Sequence, residues 1–332
     1  MIDNVPMWSL IGAFLPFFLL VALGSLAIGR RWVPPEGLGA LTAFVLFMAL
    51  PAMLFRLGAS GALLQPALAQ VLVIYAAAGV LVLAAALAWA AQRRLDRLDG
   101  GMAGLVTVFP NTGFLGIPLL TGLMGAQAAG VLAATIVVDV LLFSSVCLAW
   151  AHSQGHGPED GAWRAAAKSL RGALRNPLLW SMGLGLAWGQ THMAVPKPID
   201  DTLRLLGLAA TPVALFTLGG ILVRPAHADA DVATHRPLGP AALSWPVALK
   251  LCVHPLLVGA GVAAVGGLGA SGAALIMAAA LPSASNVSML AEREGVRTPA
   301  VPRIILLTTA LAVGSLAFWA HLLGLRPAGA GG

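Results

Sequence analysis

The sequence predicts an all-α polytopic membrane protein of ten transmembrane helices, built as two inverted five-helix repeats whose fourth and ninth helices are broken and cross. Three observations carry this prediction: a composition too apolar for water, ten apolar stretches of crossing length, and a proline spacing that recurs across the midpoint.

Of the 332 residues, 59% are hydrophobic and only 10% are charged, against roughly 25% charged in a soluble globular protein. At about 20 apolar residues per crossing, the chain holds about ten crossings with short connections and no sizeable soluble domain. Long unbroken runs such as Ala67 to Ala91 exclude an outer-membrane barrel, whose strands alternate apolar and polar residues. The +6 net charge is spread over connections and not gathered into a patch, which argues against nucleic-acid binding. Cys147 and Cys252 both fall within apolar runs and read as small packing residues, not as a disulfide or metal pair.

Hydropathy places the spans at 8–29, 37–56, 67–91, 103–123, 126–150, 173–189, 202–223, 241–264, 270–291 and 300–323. Span 1 follows an N-terminus with Asp3 and no basic residue, so it reads as an anchor and not a cleaved signal. Spans 1 to 5 lie in the first half, 1–151. The connection after span 5, 152–172, is the longest polar segment; it carries His152, His156, Glu159 and Asp160 and reads as a mixed-charge cytoplasmic linker. Spans 6 to 10 lie in 173–332. Fourteen basic residues, among them Arg30, Arg31, Arg93, Arg94, Arg97 and Arg164, lie on or beside odd-numbered connections, and four (Arg56, Lys197, Arg204, Arg326) lie on the other side. The positive-inside rule then puts both termini on the non-cytoplasmic side of the inner or plasma membrane. Trp8, Trp32, Trp89, Trp150, Trp188, Trp245 and Trp319 fall near span ends, where indoles are expected at the headgroup belt.

The repeat is read in prolines. Pro16 and Pro51 are 35 residues apart, as are Pro177 and Pro212, and the two pairs are related by a shift of 161. The heptads Ala49–Phe55 and Ala210–Phe216 share four of seven residues. Five crossings per half is an odd number, so the two halves must insert in opposite senses, an arrangement common in secondary transporters.

Such folds hold substrate where helices are interrupted near the midplane. Span 4 contains Pro110-Asn-Thr-Gly-Phe-Leu-Gly-Ile-Pro118, and Pro110, Gly113 and Pro118 mark it as broken. Span 9 contains Leu281-Pro-Ser-Ala-Ser-Asn286, broken at Pro282. The polar side chains beside these breaks are Asn111, Thr112, Ser283, Ser285 and Asn286, all neutral, and they are the expected substrate contacts. Broken-helix N-termini pointing inward present free N–H groups and partial positive charge, which suits a carboxylate.

Three ionisable residues, Asp139, Lys250 and His254, lie well inside the spans. An isolated Asp139 in span 5 would cost about 3 kcal/mol, so it either carries a coupling proton or is a structural carboxyl bonded to backbone. Lys250 in span 8, with His254 one turn on, either offsets substrate charge or snorkels to the interface.

These residues carry a family resemblance. The Pro110–Pro118 and Leu281–Asn286 motifs, the Asn176-Pro177 entry to span 6, the stretch Pro212 to Gly220 and the stretch Lys250 to Pro255 resemble the bacterial branch of the auxin efflux carrier family, essentially end to end. The resemblance implies a ten-helix fold related to the bile-acid/sodium symporters, with helices 4 and 9 crossing at the substrate site and Pro110, Asn111, Pro282 and Asn286 at the crossover. It implies a scaffold domain of helices 1, 2, 6 and 7 and a transport domain of helices 3–5 and 8–10 that moves as an elevator. Bacterial members are commonly assigned small organic acids such as malate or malonate. The chain lacks the long central loop of the plant carriers, and no acid lies at the crossover, which argues against a sodium site.

The expected function is secondary transport of a small carboxylate, with proton coupling or potential-driven efflux, and with no cofactor, metal or enzymatic chemistry. A receptor that kept the fold and a passive anion channel are the alternatives. The bilayer and the substrate are the expected partners; a Gly- and Ala-rich scaffold permits close helix packing and leaves room for a homodimer.

Overall fold

The computed structural model describes residues 7–60, 68–125, 127–151, 177–223, 240–296 and 300–325. The linker 152–172, with its histidines and acids, and the basic residues Arg224, Arg236, Arg297 and Arg326 lie outside the described residues. The segments are α1 (Met7–Gly29), α2 (Gly37–Ala59), α3 (Leu68–Gln92), α4 (Arg97–Val108), α5 (Thr112–Met124), α6 (Ala128–Ala151), α7 (Pro177–Gln190), α8 (Lys197–Val223), α9 (Ala241–Ala264), α10 (Gly269–Ala280), α11 (Asn286–Glu294) and α12 (Ala300–Leu322). Among them α2, α3, α6, α8, α9 and α12 are long and apolar enough to cross a membrane. The chain is therefore all-helical in its described residues and polytopic in character.

Hydropathy misplaces helix starts where the first turn is polar. The fourth span begins at Arg97 and not at 103, because the Asp96 carboxylate caps it, accepting from the Asp99 N–H at 2.7 Å. The seventh begins at Lys197 and not at 202, its first turn carrying Asp200. The spans expected at 103–123 and 270–291 are each two segments, α4/α5 and α10/α11, meeting near their centres.

Two helix pairs are packed most extensively, α1 with α8 and α2 with α7. Both depend on glycine. A methyl group added to Gly24 would fall on the Phe216 carbonyl, and one added to Gly219 on the Val21 carbonyl. Likewise Gly58 faces the Met182 carbonyl and Gly185 the Phe55 carbonyl. Only a missing side chain lets helix backbones approach this closely. Ser25 reinforces the first crossing, its Oγ donating to the Gly219 carbonyl at 2.8 Å. Gly24 and Gly185 are 161 residues apart, as are Gly58 and Gly219, the same shift that relates the prolines. Across α2 and α8, Arg56 is bidentate to Asp200, at 2.6 and 3.2 Å.

The remaining helices pack around α4, α5 and α10, where 99–108, 114–117 and 274–280 are all buried. Here the tryptophan belt expectation needs correction. Trp32, Trp150 and Trp245 are exposed, but Trp89 and Trp319 are each only 5% exposed. Their indole N–H groups donate to the carbonyls of Ala242 (3.1 Å) and Leu251 (2.9 Å) on α9. Those are the carbonyls four residues before Pro246 and Pro255, which have no N–H to offer them. Each tryptophan thus supplies the donor that a proline removed. Cys147 is buried, whereas Cys252 is exposed, so only the former is a packing residue of the interior.

Candidate substrate site

The breaks in the fourth and ninth spans meet. Phe109–Asn111 and Pro282–Ala284 run antiparallel as two short extended segments, with Asn111 N–H donating to the Pro282 carbonyl at 2.8 Å and Ala284 N–H to the Phe109 carbonyl at 3.0 Å. This pairing answers the demand that backbone groups inside a membrane find partners. Proline is compatible with it because the donors are the residues that follow Pro110 and Ser283. Ser283 N–H turns the other way, to Thr308 Oγ1 at 3.1 Å.

Of the four residues expected to mark breaks, Pro110 and Pro282 do so. Pro118 does not: helix runs continuously from Thr112 to Met124, because the wide turn at Thr112–Gly116 places Pro118 at the start of regular helix, where its missing N–H matters least. Gly113 is not needed for space either, since a side chain there would meet only Leu50 at an ordinary 3.6 Å. Gly116 is the constrained glycine, lying against the Leu281 side chain.

The crossover has two electrostatic faces. On one, α5 and α11 begin, so both present helix N-termini. Asn111, Thr112, Ser283, Ser285 and Asn286 gather here, and each has a buried polar atom without a protein hydrogen-bond partner: Asn111 Nδ2, Thr112 Oγ1, Ser283 Oγ, Ser285 Oγ and Asn286 Oδ1. Buried polar groups in native proteins are almost always paired, so five orphans in one cluster are an unusual concentration. The three hydroxyls and the Asn111 amide N–H can donate to an anion, whereas Asn286 Oδ1 is an acceptor and calls for a donor.

On the other face, α4 and α10 end. Lys250 Nζ donates to the Val108 carbonyl at 3.3 Å and to the Ala279 carbonyl at 3.2 Å, and lies 3.3 Å from His254 Nδ1. One ammonium group therefore caps both half-helices at their negative ends. Lys250 is wholly buried, so the snorkelling alternative is wrong: the two carbonyls hold the ammonium in the interior.

Asp139 is also wholly buried. Its Oδ1 accepts from the Tyr75 hydroxyl at 2.9 Å, while Oδ2 has no partner; the expected backbone bond is absent, and Tyr75 takes that role. The Tyr75 ring lies 5.4 Å from that of His254, so Asp139, Tyr75, His254 and Lys250 form one continuous cluster behind the crossover. His254 Nε2 is buried and unpartnered. Sequence reasoning missed Tyr75, although it is the chain's single tyrosine and sits mid-span beside no interface. It also missed Thr308, which only the fold brings to Ser283. Among the described residues no group of three or more His, Cys, Asp or Glu is arranged to hold a metal.

Known proteins share this sequence along its length. It is 28% identical over 330 residues to a protein of Rhizobium meliloti named "Putative malonate transporter", covering 97% of this chain and 99% of that one. It is 27% identical over 329 residues to an "Uncharacterized transporter" of Methanothermobacter thermautotrophicus, covering 93% and 97%. "Auxin efflux carrier component 8" of Arabidopsis thaliana is 22% identical over 273 residues, covering 66% of this chain and 73% of the plant protein. The membrane transport protein family model matches residues 9–320. The family model and the end-to-end match to proteins named transporters identify a transporter and not an enzyme: the protein is a member of the membrane transport protein family, the auxin efflux carriers.

Proposed function

We propose that this transporter is a secondary carrier of a short carboxylate anion of the malonate or malate kind. The observation that supports it most is the cluster of five orphaned polar atoms on the face where α5 and α11 begin. Helix N-termini and neutral donors are together a carboxylate site that needs no fixed positive charge. The names of two relatives, one a malonate transporter and one an auxin carrier, both denote carboxylic acids.

In this reading the chain makes ten crossings as two inverted repeats, 1–151 and 173–332, joined by a cytoplasmic linker, with both termini outside the cytoplasm. Gly24 with Gly219 and Gly185 with Gly58, related by the same 161-residue shift as the prolines, support the repeat. The α1, α2, α7 and α8 group is the scaffold. The crossover with α3, α6, α9 and α12 is the moving body, which carries the anion across as an elevator. Asp139 takes up the coupling proton through its unpartnered Oδ2, with Tyr75 orienting the carboxyl.

Counter-flow in proteoliposomes tests this. Wild-type protein loaded with malonate is expected to exchange it saturably for external labelled malonate, and flux without saturation or counter-flow would replace the carrier by a channel. Binding without flux would replace it by a receptor. Asp139→Asn is expected to remove the pH dependence of net uptake while keeping exchange; an unaltered pH profile would end the proton-carrier role.

A further inference from the structure

A cavity of about 340 Å³ lies between α2, α5 and α8, away from the crossover. Its walls include Met53 and Arg56 from α2, Pro118 and Thr121 from α5, and Arg204 and Thr211 from α8. The volume falls in the range of small-molecule sites, about 300–1,000 Å³. Its α2 and α5 walls continue toward the crossover. Pro118 lies six residues along α5 from Thr112, about 9 Å at 1.5 Å per residue, and Met53 is one turn from Leu50, which packs beside Gly113.

The charges around this cavity are unequal in how they are engaged. Arg56 gives Nε and Nη2 to Asp200. Arg204 has only an ionic contact, its Nε 3.9 Å from Asp201 Oδ1, too long for a hydrogen bond. Lys197 reaches Asp201 at 3.4 Å and is 88% exposed. The described charged groups at this end are thus Arg56, Lys197 and Arg204 against Asp200 and Asp201, one positive charge in excess. Arg204, about half exposed, holds a guanidinium fork without a carboxylate to match it.

We infer that this cavity is a second anion site, a vestibule in which Arg204 binds one carboxylate of a short dicarboxylate and Arg56 is released from Asp200 to bind the other, before the anion passes to the crossover. The proposal rests on the carrier reading and adds to it a second, fixed-charge site. Two planar guanidinium groups favour a dicarboxylate over a monocarboxylate, because each fork takes one carboxylate. A phosphate headgroup offers the same chemistry, so lipid is the competing source.

The test uses malonate in phosphatidylcholine proteoliposomes and, in parallel, malonate titrated calorimetrically onto the detergent-solubilised protein. Arg204→Gln is expected to raise the KM for malonate roughly fivefold, the scale of one partly exposed charge pair, and to flatten its dependence on ionic strength. Arg204→Lys should recover part of this. Asp200→Asn, which frees Arg56, is expected to lower KM. Opposite signs from two neighbouring substitutions are an outcome that general loosening of the fold does not produce. Unchanged KM in both variants, or a rise in both, overturns the vestibule while wild-type flux keeps the carrier reading intact. Malonate binding that is sensitive to Arg204→Gln in a protein without flux overturns the carrier reading and leaves the site. If phosphatidylglycerol stabilises wild type but not Arg204→Gln against heat, and malonate KM is the same in both, the arginines serve lipid headgroups and the vestibule is overturned.

Discussion

Two pairs of crossings in this molecule are close in geometry and opposite in chemistry. Where α1 meets α8 and α2 meets α7, unbroken helices touch backbone to backbone over glycines, and a side-chain bond from Ser25 ties the first crossing shut. Where α4/α5 meets α10/α11, the helices are broken at Pro110 and Pro282, the extended segments pair with each other, and five side chains keep polar atoms without partners. Among the described residues the first arrangement leaves no buried side-chain atom without a partner and is held chiefly by close backbone packing. The second holds a desolvation cost of about 1–3 kcal/mol per orphaned group; in the reading proposed above, a bound carboxylate meets the four of these atoms that can donate. In that reading, stability and binding fall to different crossings.

The largest expected effect is at the glycine crossings. Gly219→Val places branched carbons on the Val21 carbonyl and forces α1 and α8 apart, overpacking that typically costs about 1–3 kcal/mol and more where backbone must move. Loss of monodisperse protein after purification, or a fall in apparent Tm larger than for any crossover variant, is the expected outcome. A Gly219→Val protein as stable as wild type would mean the crossing is not rigid, and the contrast would collapse.

Next is Lys250→Met, which keeps the side chain as far as its last carbon and removes its donors. The carbonyls of Val108 and Ala279 then lose their shared partner at the ends of α4 and α10, a cost of about 2 kcal/mol at about 1 kcal/mol for each stranded acceptor. The variant is expected to melt lower and to lose malonate affinity as well, since the same ammonium fixes both halves of the crossover. Asn111→Ala with Asn286→Ala should do the reverse on stability. Removing orphaned amides is expected to leave apparent Tm equal or higher, as at other sites that give up stability for function, while malonate affinity falls about tenfold or more. A lower Tm with unchanged affinity would move the substrate site elsewhere.

How much of this was legible in sequence follows from the range of each signal. Breaks are properties of one segment, so Pro110, Pro282 and the neutral residues beside them were readable. Pro118 was misread because a proline at the first turn of regular helix looks, in sequence, like one that breaks it. The glycine crossings carry the same 161-residue shift as the prolines, but with 39 glycines in the chain nothing marks four of them until the backbone contacts are known. Partners across the fold were out of reach altogether. No pattern along α9 says that the Lys250 ammonium reaches carbonyls 142 and 29 residues away, and Tyr75 lies 64 residues from Asp139. Hydropathy could count Lys250 as an anomaly but could not choose between an interface and an interior, because that depends on acceptors supplied by other helices.

The smallest effect is also the sharpest, because it compares two residues of one type. Trp89 and Trp319 are buried alike, at 5% each, and each donates to a carbonyl stranded by a proline of α9. Replacing either by Phe removes a similar volume, so the packing loss is comparable. The carbonyls differ: Ala242 has the indole of Trp89 as its side-chain donor, whereas Leu251 also receives Ser315 Oγ at 3.4 Å. Trp89→Phe should therefore lower apparent Tm more than Trp319→Phe, by the equivalent of about 1 kcal/mol for one stranded acceptor. Adding Ser315→Ala to Trp319→Phe should close the gap. Equal melting of the two single variants would show that the stranded carbonyls find other donors, and that proline breaks in this fold are tolerated without dedicated partners. That result would weaken the reading of the crossover too, since its five orphaned side-chain atoms carry weight only if a buried group without a partner is costly in this fold.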